Sequence, residues 1–241
     1  IRDRMLASLL YMYCKVRTRA VFAAVVLIGY SLLMYLVVAP DAPDGTDPLS
    51  VAGNIAGWVD RQWLPGTFAC GSFDPEGLLS TLPAIVSALF GMFTGEFLLR
   101  KRSSLSGEQI ALCMALAAVA ITVIGIIWNC WIPINKKLWS SSFTCVVTGY
   151  SLGLFALFYY LIDVRGWKRW TFFFRVIGLN SITIYLAQRI VGFGGIANFF
   201  FGGAASHCPE AIARVISNAG YVAICWLFLY FLYRKSTFLK V

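Results

Sequence analysis

Charge is scarce in this chain, and histidine nearly absent. Of its 241 residues, 13% are charged and one is a histidine, whereas a soluble domain carries about 25% charged residues. So little charge cannot clothe one or two water-soluble domains of this length. His207, next to Cys208 in a connector, has neither a serine–carboxylate pair nor metal-ligand neighbours, and it reads as an ordinary loop residue. The seven cysteines fit no metal template. No glycine-rich phosphate loop and no inverted repeat is found. The sequence opens at Ile1, not Met, and no signal-peptide pattern is read in its first residues.

What is abundant is uninterrupted apolar sequence. Hydrophobic residues make up 59% of the chain, and its mean hydropathy is +0.76. Six runs stand out, at residues 20–39, 78–99, 109–128, 138–162, 171–191 and 214–233. Each is close to the roughly 20 residues that cross a bilayer as a helix. Helices are expected because only they or closed barrels satisfy their backbone in lipid. Glu96 is the one charge in the second run, while Arg175, Asn180, Gln188 and Arg189 make the fifth a mixed one. Residues 5–14 are apolar but too short to cross, so they are expected to be the cytoplasmic end of a truncated first helix. The expected fold is all-α: a polytopic transmembrane bundle of six full spans, a single domain over residues 1–241. It is read as the carboxy-terminal portion of a larger membrane protein.

Basic residues alternate along the connectors. Lys15, Arg17, Arg19, Arg100, Lys101, Arg102, Arg165, Lys168, Arg169, Arg234, Lys235 and Lys240 fall on one side. Only Arg61, Lys136, Lys137, Arg189 and Arg214 fall on the other. This positive-inside pattern puts the first set, and the carboxy terminus, in the cytoplasm. Residues 40–77 become an extracytoplasmic loop. The formal net charge of +9 is explained by these flanks, so no nucleic-acid partner is inferred. They remain available to anionic lipid or to a phosphate-rich coenzyme. Cys113, Cys145 and Cys225 read as packing residues, and one disulfide among the far-side Cys70, Cys130 and Cys208 is conceivable.

Polar residues near a membrane are costly and tend to be functional. The far-side loop holds Asn54, Asp60 and Arg61, then Phe73-Asp74-Pro75-Glu76-Gly77-Leu78-Leu79-Ser80-Thr81. Asp74 followed by Pro75 and Glu76 suits the start of a helix. Alternatively, Asp74 and Glu76 line a polar pocket at the outer mouth. A second polar entry, Pro133-Ile-Asn135-Lys136-Lys137-Leu-Trp139-Ser140-Ser141-Ser142, supplies Lys136 to neutralise a carboxylate or to donate to a sugar or phosphate. Gly91/Gly95 and Gly149/Gly153 have the spacing that lets helices approach closely. Glu96 either pairs with Arg175 or snorkels, and Asn180 calls for an interhelical partner or a ligand.

In this order, Asn54…Asp60-Arg61, Phe73-Asp-Pro-Glu-Gly-Leu-Leu-Ser-Thr-Leu-Pro-Ala-Ile, Gly91…Gly95, Pro133-Ile-Asn-Lys-Lys-Leu-Trp-Ser-Ser-Ser-Phe and Gly178-Leu-Asn-Ser-Ile resemble the heparan-α-glucosaminide N-acetyltransferase family and its bacterial relatives. The resemblance covers residues 50–190. It implies a membrane acyltransferase carrying acetyl from cytoplasmic acetyl-CoA to an amino sugar or other saccharide across the membrane. It also implies a bacterial inner-membrane location. The family's catalytic histidine lies in an amino-terminal part that no residue here matches, so His207 is not assigned that role. Under the resemblance, Asn54, Asp60, Arg61, Asp74, Glu76, Asn135, Lys136 and Ser140 border the acceptor side. Arg175, Asn180, Arg100, Lys101 and Arg165 are the coenzyme candidates, and no metal is implied. The bilayer and a saccharide acceptor are the expected partners, and a homo-oligomer is left open.

Two other classes compete. In a transporter or channel subunit, Glu96, Arg175 and Asn180 would mark a path, with residues 192–203 a re-entrant or broken segment. A non-catalytic scaffold is the third. Binding of coenzyme A separates the acyltransferase from both.

Overall fold

A computed structural model describes residues 2–66, 68, 71 and 73–239, with side chains from Met5 onward. Ten α-helices and no strand occur among the described residues. They divide into two compact units, Ile1–Gly166 and Trp167–Val241.

In the first unit, α1 (Arg2–Tyr13) leads into α2 (Val16–Leu36), and the short α3 (Ile55–Trp63) lies in the connector before α4 (Thr81–Lys101). Next come α5 (Gly107–Trp128) and α6 (Ser141–Tyr159), which continues through a π turn, Tyr160–Val164. Helices α5 and α6 form the most extensive pairing, while α4 packs against α1, α2 and α6. Side chains set the helix starts. Asn54 Oδ1 accepts from Gly57 N–H at 2.6 Å to begin α3, Ser106 and Gln109 form a capping box for α5, and Ser140 caps α6. Each satisfies donors that a first helical turn leaves unpaired.

Gly149 sits where α5 and α6 approach closely. A Cβ there would stand 2.8 Å from Ala118 O and would overlap the Thr122 hydroxyl. The other glycine pair corrects an expectation. A Cβ at Gly91 or Gly95 would meet nothing within 4 Å, so their spacing does not mark a helix crossing within this unit.

The second unit contains α7 (Thr171–Leu179), α8 (Ser181–Ile190), α9 (Phe193–Ser206) and α10 (Glu210–Arg234). Here α9 and α10 pair as a hairpin, and α7 packs on α10 through Phe172, Phe173 and Trp226. The fifth apolar run is therefore not one helix. It breaks at Asn180, whose φ of −129° and ψ of 30° lie outside the helical well. Helix α8 then meets α9 at a bend of 81°.

Among the described residues, five helices are long and apolar enough to cross a membrane, or six if the bent α8–α9 pair counts as one span. Their outward faces carry large apolar side chains, such as Leu116, Val119, Val123 and Ile127 on α5. Exposed apolar surface on this scale suits lipid, not water. The chain is an α-helical, multi-pass integral membrane protein.

Two further expectations need restating. Asp74 does not cap a helix: α4 begins seven residues later at Thr81. Asp74 Oδ1 instead accepts from Glu76 N–H at 2.9 Å, and the Ser80 and Thr81 hydroxyls donate to Gly77 O. The backbone of 74–80 thus finds its partners in local turns and, at Asp74 and Leu78, in the Asp60 carboxylate. As for the disulfide, Cys130 and Cys208 are free thiols, and Cys70 lies outside the described residues.

Candidate functional site

Residues 37–80 and 129–140, both connectors of the first unit, meet over the end of α2. Tyr30, Met34, Ile55, Ala56 and Leu138 form one buried cluster, with Leu49, Trp58 and Leu79 packed against it. The Tyr30 hydroxyl donates to Leu138 O at 2.6 Å, and Ser141 Oγ donates to Leu27 O at 2.7 Å. In the first connector Asn54 is fully buried. Its amide donates to Val51 O at 2.8 Å and to Ser50 O at 3.2 Å while its oxygen caps α3.

Asp60, 2% exposed, accepts from Leu78 N–H at 2.9 Å and Asp74 N–H at 3.4 Å. A carboxylate held by backbone donors fixes the Asp74-Pro-Glu-Gly loop over α3. Gly77 makes room for it, since a Cβ there would lie 2.6 Å from Asp60 Cγ. Arg61 grips Asp41 through Nε and Nη2 at 2.8–3.0 Å. Asp74 is half-buried and Glu76 exposed.

The second connector is built by its own side chains. Asn129 Oδ1 accepts from Ile134 N–H at 2.8 Å and Asn135 Oδ1 from Lys137 N–H at 2.9 Å. Ser140 Oγ donates to Pro133 O at 2.8 Å and accepts from Asn135 N–H at 3.1 Å. Trp139 is held at φ +50°, a left-handed conformation that costs a bulky residue about 1–3 kcal/mol and often marks a functional site. Lys136 and Lys137 are exposed. Between the connectors lies a cavity of about 20 Å³ bordered by Asn135, Ser140 and Tyr30, space for a single water.

The expected acceptor-side residues therefore fall into two groups. Asn54, Asp60, Arg61, Asn135 and Ser140 spend their polar atoms on holding the connectors. Glu76 and Lys136 are exposed, and Asp74 is half-buried with one carboxylate oxygen on Glu76 N–H.

The coenzyme candidates are divided between the two units. At the end of the first unit where α2 begins and α4 ends, Arg100 pairs with Glu96, and Lys101 is exposed. Arg165 Nε donates to the Tyr160 hydroxyl at 2.8 Å. In the second unit Arg175 is exposed on α7. Asn180 is 1% exposed; its Oδ1 accepts from Thr183 at 3.3 Å, and its Nδ2 has no partner.

Glu96 finds its cations within the first unit, Arg19 at 3.0 Å and Arg100 one turn along α4. Arg19, read from sequence only as a topology charge, is 4% exposed. A signal for this pair was present: charge alternation already puts Arg19 and Glu96 at the same membrane face. No group of three or more metal-ligating side chains comes together among the described residues.

No protein-family model matches the chain. Across 211 aligned residues it is 29% identical to heparan-alpha-glucosaminide N-acetyltransferase of Mus musculus, and equally to that of Homo sapiens. The alignment takes in 78% of this chain but 30% of either relative, so the chain spans under a third of their length. The chain is a relative of these proteins.

Proposed function

We propose that this chain is part of a membrane acetyltransferase that moves an acetyl group from cytoplasmic acetyl-CoA to an amino sugar, or another saccharide, on the far side. The observation that carries the reading is the sequence relation to two N-acetyltransferases along 78% of the chain. It is supported by two connectors built at one end of the first unit, one of them around a left-handed Trp139.

The roles follow from chemistry. A sugar ammonium is not a nucleophile until it loses a proton, and Asp74 and Glu76 offer a carboxylate to hold it or to take that proton. Lys136 supplies a donor for sugar oxygens or for developing negative charge. On the cytoplasmic side, Arg100, Lys101, Arg165 and Arg175 offer cations to the coenzyme's phosphates. The unpartnered amide of Asn180 is a donor for a pantetheine carbonyl, since a buried amide without a partner is costly unless something fills the place. In this reading the carboxy terminus is cytoplasmic and the membrane is a bacterial inner membrane.

The test is transfer in proteoliposomes of the intact protein, with isotope-labelled acetyl-CoA on one side and glucosamine on the other. Labelled N-acetylglucosamine in the opposite compartment supports the reading. Intact, folded protein that neither binds acetyl-CoA nor passes on the label sinks it. A transporter is the second reading, favoured by the 81° bend between α8 and α9, because broken helices commonly line solute sites.

A further inference from the structure

Arg19 is the most heavily buried charge at the basic end of the first unit, and its hydrogen bonding is incomplete. One nitrogen, Nη2, reaches Glu96 at 3.0 Å, while Nε and Nη1 are buried and have no partner. Its guanidinium carbon lies 4.5 Å from the Tyr11 ring centroid and 5.6 Å from that of Phe93. Aromatic faces hold the cation but accept no in-plane hydrogen bond. Two unused donors on a buried arginine are expensive unless an anion completes them. Glu96 does not cancel the charge, because it is shared with Arg100 and the trio is left one positive charge in excess. Lys15, Arg17, Lys101 and Arg102 add to the positive potential nearby.

Two members of this trio, Glu96 and Arg100, border open space, and Arg19 stands behind that wall, against Glu96 and the Phe93 ring. A cavity of about 320 Å³ is bordered by Glu96, Arg100, Phe93 and Ala20. Phe93 also borders two neighbouring cavities of about 420 and 310 Å³, which reach Trp128 and Cys145 on one side and Leu152 on the other. The three adjoin through shared walls, forming an apolar groove among α2, α4, α5 and α6 with a charged mouth. Few hydrogen-bonding side chains line it, and the Thr94 hydroxyl is already given to Phe90 O at 2.9 Å. A hydrocarbon chain loses nothing in such a groove, whereas amide groups along a pantetheine arm would go without partners.

The geometry points to a binding site for an anionic phospholipid. Its phosphate sits on Arg19 and Arg100, and one acyl chain runs along the Phe93 groove. Charge-assisted bonds from arginine to phosphate complete Nε and Nη1, and the groove supplies apolar burial for the chain. This inference stands without the acetyltransferase reading, and it takes Arg100 from that reading's coenzyme candidates.

Native mass spectrometry of the intact protein in detergent, titrated with phosphatidylglycerol, tests it. One phosphatidylglycerol should be retained in preference to phosphatidylcholine. Arg19→Gln should weaken binding about tenfold, the worth of one charge-assisted hydrogen bond, and Arg100→Gln should weaken it as well. Arg17→Gln, which removes the same charge from an exposed position, should leave it unchanged. If Arg19→Gln does not fold, Arg100→Gln and a bulk-adding Ala20→Phe at the groove wall make the same test. Equal retention of both lipids, or equal losses for Arg17→Gln and Arg100→Gln, overturns the site in favour of diffuse surface charge. Stoichiometric displacement of the lipid by acetyl-CoA overturns the lipid assignment and makes the phosphate site the coenzyme's.

Discussion

At Asp60, two backbone N–H groups from a loop 14 and 18 residues away end on one buried carboxylate. An asparagine there keeps the shape but gives up the charge, and half of its polar head is a donor facing donors. Hydrogen bonds to a charged group are worth about 1.5–3 kcal/mol, so Asp60→Asn should lower stability by about that amount. Thermal unfolding followed by tryptophan fluorescence in detergent measures it, and an unchanged midpoint would show that the loop is held by other means. Gly77→Ala should destabilise through the same contact, because its Cβ has no room beside Asp60. In a double-mutant cycle the two losses should be less than additive. The motif containing these residues stands out in the sequence as polar and unusual, but their duties do not. Asn54, Asp60 and Ser140 could each have been ligands or caps, since spacing alone does not say which N–H a side-chain oxygen finds. Their burial and partners decide for the cap and the clamp.

Elements were legible to the extent that hydrophobic runs are long and pure. Helices α2, α4, α5, α6 and α10 each overlap most of a run seen in the sequence. The 171–191 run was mixed, and there the helix breaks at Asn180. Small-residue spacing was a weaker guide, because it does not reveal which face meets another helix. This separates two glycines of similar sequence context. Gly149→Ala should lower the unfolding midpoint, by the equivalent of about 1–3 kcal/mol for overpacking, since Ala118 O belongs to the backbone and cannot swing away. Gly91→Ala should be neutral or slightly stabilising through helix propensity. Matching midpoints for the two variants would contradict the α5–α6 packing. At the helix break, Asn180→Leu removes an unsatisfied buried amide and should not reduce stability. If Asn180 contacts the coenzyme, acetyl-CoA binding measured by calorimetry should weaken by about tenfold, the loss of one hydrogen bond in a dry site. A stable variant with unaltered affinity would remove Asn180 from the coenzyme site.

For the whole molecule, the decisive quantity is orientation, because acetyl donor and acceptor are proposed on opposite sides. Twelve basic connector residues against five argue for one arrangement, and the cysteines report on it. Cys14 follows α1 in a connector assigned to the cytoplasm, whereas Cys130 follows α5 and Cys208 follows α9, both assigned to the far side. All three are free thiols, with Cys130 exposed and the other two half-buried. In single-cysteine variants a membrane-impermeant maleimide added to intact cells should label Cys130 readily and Cys208 more slowly. Cys14 should react only after permeabilisation. The same side would then carry Asp74, Glu76 and Lys136, as an acceptor amine outside the cytoplasm requires. Labelling of Cys14 alone would invert the molecule. The basic flanks could not then meet cytoplasmic acetyl-CoA, and the transmembrane direction of transfer would have to be abandoned even if the protein acetylates sugars.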